Sequence, residues 1–384
     1  MNFIALQMLF GERGKYIAMI VGITFASLIM TQQPAIFVGL MTRTYSFIGD
    51  TASPDIWVMD PGVQFVDEHK PVRDTDLARV RGVPGVEWAV PMYKNLMVAK
   101  LPDGATKSID LVGLDDATLI GAPQHILEGK LEDLRLADSI IVDKEAANND
   151  LRVKNTDGTL RPLAVGDMLE INDRRAVVVG YAKITRNFVL TPELYTTYTR
   201  ALHYSPPDRR QLTYVLVKAK TGVNHLTLAR SIERATQLKA LTAEEFKQIT
   251  LTYWMNNTGI PINFGISIAL GFIVGAAVAG QAFYNFVREN LKQYAALKAM
   301  GVRNTVLLKM VMLQALVVGL IGYGLGVGLT SLFGLGMDDS VLAFRMPPYL
   351  LLFAGTGVFL IITLAALFAI RQVLKADPAL VFRG

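Results

Sequence analysis

The sequence predicts a membrane protein with four transmembrane α-helices, one before and three after a large α+β extracytoplasmic domain inserted between helices 1 and 2. Three observations carry this. Residues 16–41, 262–286, 306–333 and 349–370 are apolar runs long enough to cross a bilayer core, which takes about 20 residues as a helix. Residues 42–261, between the first and second runs, have the mixed composition of a soluble domain. Lys and Arg gather on alternate short loops, the pattern that orients spans in a membrane.

Residues 1–15 carry Arg13 and Lys15, and within them residues 3–10 read as an amphipathic helix on the membrane surface. No small-x-small cleavage site follows the first run, and apolar character resumes beyond Pro34 to Met41. An uncleaved span, kinked or ended near Pro34, is therefore expected. Within 42–261, residues 55–59, 86–91, 108–113, 139–142, 176–181 and 212–218 read as strands. Residues 74–81, 192–202 and 225–239 read as helices, with Asp74 and Thr191 as caps. A subdomain insertion is expected around 116–190. Tyr253 and Trp254, just before the second span, suit either an interfacial aromatic belt or the core of the domain.

Between the second and third spans, residues 287–305 carry Arg288, Lys292, Lys298 and Arg303. The tail, 371–384, carries Arg371, Lys375 and Arg383, whereas the loop 334–348 holds Arg345 against Asp338 and Asp339. Both termini and the 287–305 loop are thus expected in the cytoplasm, and the large domain outside.

Several function classes fall away. The net charge of +5 follows from the loop Lys and Arg and gives no reason to expect nucleic acid. The absence of cysteine rules out disulfides and thiol chemistry. Ionisable residues cost about 2.5–3.5 kcal/mol at mid-span and are kept for function. The span interiors hold none, so ion-coupled transport is disfavoured; Gln32, Gln281 and Gln314 are their strongest polar groups, able to bond across helices. Gly271/Gly275 and Ala276/Gly280 on the second span, and Gly322/Gly326 and Gly324/Gly328 on the third, have the small-xxx-small spacing of close helix packing. The glycine run is not followed by Lys-Ser/Thr, and no phosphate-binding Gly-x-x-x-x-Gly-Lys-Ser/Thr occurs, so any ATP hydrolysis falls to another chain. The four histidines are dispersed, and the pairs Asp115/Asp116 and Asp338/Asp339 read as solvated loops. No catalytic residue, metal ligand or bound cofactor is expected.

The loop after the second span is the most specific segment. Leu291, Tyr294, Ala295 and Lys298 share one helical face, and Gly301 is placed to cap a C-terminus. One reading is a solvated amphipathic turn. The other is a short helix flat on the membrane, its exposed Tyr/Ala/Leu stripe docking another protein. Glu289 with Tyr294-Ala295-Ala296-Leu297-Lys298-Ala299-Met300-Gly301 resembles the coupling-helix motif of FtsX/MacB-type ABC transporter permeases. Arg371-x-Val373-Leu374-Lys375-Ala376-Asp377-Pro378-Ala379-Leu380 is similar to that family's C-terminal motif, and Ser53-Pro54-Asp55-Ile56-Trp57-Val58-Met59 resembles its DevC-type branch.

The resemblance implies a MacB-like periplasmic core domain, a permease homodimer in the bacterial inner membrane, and a separate ABC ATPase dimer that uses ATP and Mg. The permease would act by mechanotransmission, ATP-driven motion at the cytoplasmic helices rocking the outer domain. Glu289, Tyr294, Ala295, Leu297, Lys298, Met300 and Gly301 would contact the ATPase, and Arg371, Leu374, Lys375, Asp377 and Pro378 would support that surface. Likeness to the DevC-type branch implies a periplasmic adaptor, an outer-membrane channel and export of a lipid-like or amphiphilic cargo. Two alternatives stay open: an FtsX-like signalling subunit controlling an extracytoplasmic enzyme, and a lipoprotein-extraction permease. Since the sequence begins almost at its first span, the ATPase is expected in trans rather than fused, as it is in MacB.

Overall fold

A computed structural model describes residues 1–51, 53–337 and 342–375. In chain order these form α1 (Asn2–Gly11), α2 (Arg13–Arg43), α3 (Ser46–Asp50), β1 (Ile56–Met59), α4 (Asp74–Arg81), β2 (Val86–Lys100), β3 (Thr106–Leu114) and β4 (His125–Glu128). Next come β5 (Ser139–Asp143), α5 (Lys144–Asn148), β6 (Val153–Lys154), β7 (Leu160–Arg161), β8 (Met168–Ile171), β9 (Arg174–Lys183), β10 (Glu193–Thr197) and α6 (Tyr198–Tyr204). The chain continues through β11 (Tyr214–Ala219), α7 (His225–Thr236), β12 (Lys239–Thr242), α8 (Ala243–Asn257), α9 (Ile260–Glu289), α10 (Leu291–Ala299), α11 (Asn304–Leu335) and α12 (Pro348–Lys375). Met41–Asn257 make one compact unit; Met1–Leu40 and the described residues from Thr258 onward make the other.

In the second of these units, α2, α9, α11 and α12 are long and apolar enough to span a membrane. Helix α2 runs unbroken through Pro34, so of the kink or end expected there, the end does not occur. The helices close on one another where glycine removes a side chain. A Cβ at Gly322 would lie 2.7 Å from Ile23 of α2, and one at Gly326 would lie 2.5 Å from the Ser27 Cβ; Gly271 meets Ile29 and Gly275 meets Ala26 in the same way. Gly280, Gly324 and Gly328 face open space and do not take part in this packing, because they sit on the opposite side of their helices. The contrast is testable by thermal unfolding in detergent. Gly326→Leu should destabilise the unit by about 1–3 kcal/mol through overpacking, whereas Gly328→Leu should stay within about 0.5 kcal/mol of the parent.

The other unit is a ten-stranded mixed sheet in the order β12-β1-β11-β2-β3-β10-β5-β9-β4, with β8 pairing β2 and β9. Period-two alternation splits the strands between two faces. Trp57, Met59, Val90, Met92, Val112 and Leu216 pack with Phe47 of α3 and Phe246 of α8. Ile56, Val58, Val215 and Val217 point the other way, onto Leu228 and Ile232 of α7. The segment expected as an insertion instead supplies β4, β5, β8 and β9 to the same sheet. Residues 192–202, expected as a helix, divide into β10 and α6. Pairing of Glu193–Thr197 in parallel with β3 and antiparallel with β5 overrides local helical preference. Asp74 is the first residue of α4 rather than its cap, and Thr191 donates its backbone N–H to Asn187 Oδ1. Tyr253 stacks on Phe65, and Trp254 packs edge-on to Phe65 and against Phe188, which makes both aromatics part of this domain.

A charged cluster is sealed inside the first face. The Lys94 ammonium of β2 is fully buried, 2.7 Å from Asp67 and 3.2 Å from Asp110, and lies over the Phe47 ring. Glu193 pairs in register with Asp110; its Oε2 accepts from the Tyr195 hydroxyl at 3.0 Å, while Oε1 is buried with no hydrogen-bond partner among the described residues. Burial pushes the Glu193 carboxyl up from 4.5 to about 8, with Lys94 opposing and Asp110 adding to the rise. A raised carboxyl stabilises the fold fully below its unfolded value and loses that contribution as pH climbs to the folded one. The unfolding midpoint of Glu193→Gln, relative to the parent, should therefore rise steadily between about pH 4.5 and about pH 8. A difference that does not change over that window would contradict the assignment.

Candidate functional site

The site is built around α10 in the membrane-spanning unit. Helix α9 ends at Glu289 and α10 starts at Leu291; Asn290 makes the corner, its Nδ2 donating to the Phe286 carbonyl at 2.9 Å. At the other end the Val302 N–H reaches the Leu297 carbonyl, the Gly301 N–H reaches that of Lys298, and Gly301 has φ 88°. This is a Schellman closure, which needs a left-handed residue at that position.

The amphipathic stripe faces inward, which corrects the expectation that it is exposed. Tyr294, Ala295 and Leu297 are buried. Tyr294 and Leu297 join Ala5 and Leu9 of α1, Phe286 and Val287 of α9, and Leu307 and Met310 of α11 in one apolar cluster. The physical reason is a polar pair at its centre. The Tyr294 hydroxyl donates to Gln314 Oε1 at 2.9 Å, and Gln314 Nε2 donates to the Ala5 carbonyl at 2.8 Å. Gln314 is fully buried on α11, so its amide must find partners inside the protein, and the two it finds tie α10 and α1 to the same point. Burial also pushes the Tyr294 phenol up to about 12.

The remaining expected residues fall into two groups. Glu289 forms an ion pair with Lys15, which also pairs with Glu12 at 3.0 Å. The Lys298 ammonium donates to the Leu374 carbonyl of α12 at 3.0 Å. These two charges hold helix ends together, and reversing them would disturb the packing. Arg288, Lys292, Gln293, Ala299, Met300 and Arg303 lie on the outside, with Met300 at 73% exposure. The outward face of α10 and its flanks is therefore cationic with a protruding thioether. Of the C-terminal motif, Arg371 lies over the Phe368 ring and Leu374 is exposed. The backbone of Lys375 closes α12, while Asp377 and Pro378 lie outside the described residues.

Sequence reasoning missed the contribution of α1. It read residues 3–10 as lying on the membrane; Ala5 and Leu9 are instead buried against the bundle, leaving Phe3 and Phe10 exposed. The available signal was Gln314, a lone amide in an apolar span, which demanded a partner.

Two family profiles match the chain: the MacB-like periplasmic core domain over residues 17–235, more than half of its length, and the FtsX-like permease C-terminal region over residues 265–378. The chain belongs to the MacB/FtsX-type ABC transporter permeases. It is similar to an uncharacterised ABC transporter permease of Mycobacterium tuberculosis, found in two strains, at 24% identity over 325 residues, 82% of this chain and 80% of the relative. Among solved structures it is similar to the periplasmic region of MacB from Actinobacillus actinomycetemcomitans, with 13% identity, 55% of this chain, 97% of that one and TM-score 0.37. The extracellular domain of the ABC-type transporter YknZ from Gram-positive bacteria matches at 14% identity, 50% of this chain, all of that one and TM-score 0.36. As a permease of this type, the chain implies a partner ATPase and a place in a membrane, with the α10 loop among the matched FtsX-like residues.

Proposed function

We propose that this permease couples ATP hydrolysis by a separate ATPase to motion of its outer domain, with α10 as the contact. The observation that carries this reading is the division of labour on α10. Its inner face is bonded to α1 and α11 through Tyr294 and Gln314, and its outer face presents Lys292, Gln293 and Met300 to whatever docks. A push on the outer face is thus delivered to α1, α9 and α11 together. These 384 residues contain no phosphate-binding Gly-x-x-x-x-Gly-Lys-Ser/Thr; the reading places ATP hydrolysis outside them, in an ATPase dimer opposite a permease homodimer with both termini in the cytoplasm. Likeness to the DevC-type branch adds a periplasmic adaptor, an outer-membrane channel and a lipid-like or amphiphilic cargo moved outward.

The chain should be purified from its host in mild detergent with any ATPase that accompanies it, and ATP hydrolysis measured. Lys292→Glu with Met300→Glu should cut permease-stimulated hydrolysis at least about tenfold, while the unfolding midpoint moves little, as expected of exposed positions. Stimulation equal to the parent's would remove α10 from the contact. Control of an extracytoplasmic enzyme, or lipoprotein extraction, would use the same contact and differ in what binds residues 42–257.

A further inference from the structure

An open groove of about 570 Å³ lies between α2 and α9, away from the buried face of α10. Its walls are Ala18, Ala277, Val278 and Ala282, and its polar groups are Lys15, Gln281 and Asn285. The two helices close beneath it at Gly22, where a Cβ would lie 2.7 Å from Val278 Cγ1. Ala277, Gln281, Asn285 and Glu289 are successive i,i+4 positions, so they form one ridge on α9. That ridge grades from methyl through two carboxamides to a carboxylate as it nears the helix end, where Glu289 meets Lys15, itself also paired with Glu12. At about 6 Å per step, the gradient follows the depth profile of one phospholipid: acyl chain, ester linkages, phosphate, terminal group.

We propose that this groove is a binding site for a zwitterionic phospholipid whose head group ends in a primary ammonium. Charge complementarity selects that class. Lys15, the one charged group lining the groove, is already held by two carboxylates. A bare anionic head would have to displace them. A head group with phosphate and ammonium lets the phosphate reach Lys15 while the ammonium donates to Glu289 and Glu12 in exchange. A choline head has no N–H to donate. The amides of Gln281 and Asn285 face the ester level, where lipid carbonyls accept. Of the charged groups at this end only Lys15 lines the groove; Glu12 and Glu289 reach it through their ion pairs with Lys15, and Arg13 and Arg288 are exposed beside them.

The test is lipid binding to the detergent-purified full chain, read by native mass spectrometry and by thermal shift. Phosphatidylethanolamine, phosphatidylcholine and phosphatidylglycerol of identical acyl chains are compared. Phosphatidylethanolamine should bind at least about tenfold tighter than either of the others. Ala277→Phe, at an exposed position, should abolish the preference without lowering the lipid-free unfolding midpoint. Three results would overturn the proposal. Equal binding of the choline lipid would show that the ammonium N–H groups are not read. Equal or tighter binding of the glycerol lipid would assign the affinity to Arg13 and Arg288. Crosslinking of Ala277→Cys between copies in native membranes would give the groove to a second copy of the chain.

Discussion

A glutamate in place of Tyr294 should unfold the membrane-spanning unit rather than merely uncouple it. The phenol is buried among Leu9, Phe286, Leu307 and Met310, an apolar cluster in which an ionised carboxylate loses its water. Such a group costs several kcal/mol or takes up a proton instead. The substitution also removes the donor to Gln314 Oε1. The expected result is a detergent unfolding midpoint well below the parent's and poor recovery from membranes. Tyr294→Phe separates the two causes. It keeps the ring but leaves the buried amide oxygen without its donor, at about 1–2 kcal/mol. If the Tyr294→Glu protein unfolds at the parent's temperature, the stripe is exposed and the inward assignment fails. Had Tyr294 met the ATPase directly, the same change would have spared the fold and lost only stimulated hydrolysis.

The second large effect is expected at Lys94. Burial works against its charge, but Asp110, Asp67 and Glu193 around it outweigh that and raise its affinity for the proton. Removing one partner from a buried pair costs about 3–5 kcal/mol, because the remaining charge is left without compensation. In Lys94→Ala, Asp67 and Asp110 would be left facing each other beside Glu193. Chemical denaturation followed by the fluorescence of Trp57, which lies in the same core as Phe47, should report a loss of that size. Lys94→Met with Asp67→Asn and Asp110→Asn should recover much of it, since no partner charge of Lys94 is then left uncompensated and the groups keep similar volume. A single-variant loss below about 1 kcal/mol would mean the cluster is hydrated.

Much of the architecture was legible because the governing forces are local. A bilayer core demands about 20 apolar residues in a row whatever surrounds them, and α2, α9, α11 and α12 cover all four runs that meet that demand. Strands β1, β2, β3, β5, β9 and β11 announce themselves through β-branched and aromatic residues with period-two alternation, which the pleat imposes on each strand separately. Gly301 could be placed at the end of α10 because a left-handed residue tolerates few alternatives to glycine.

What the sequence by itself determined, then, is the order of spans and domain, most of the strands, and a short capped helix after the second span. Only the tertiary structure decided which way that helix faces. Helical spacing puts Tyr294, Ala295 and Lys298 on one side but does not say whether protein or solvent covers it. The answer came from Gln314 and Ala5, hundreds of positions apart and brought together by packing. The same holds for the glycines: spacing alone treats Gly326 and Gly328 alike, yet only Gly326 meets a neighbouring helix. Strand β10 owes its existence to β3 and β5 on either side. In each case the deciding energy belongs to a contact between distant segments, and a one-dimensional pattern records only half of such a contact.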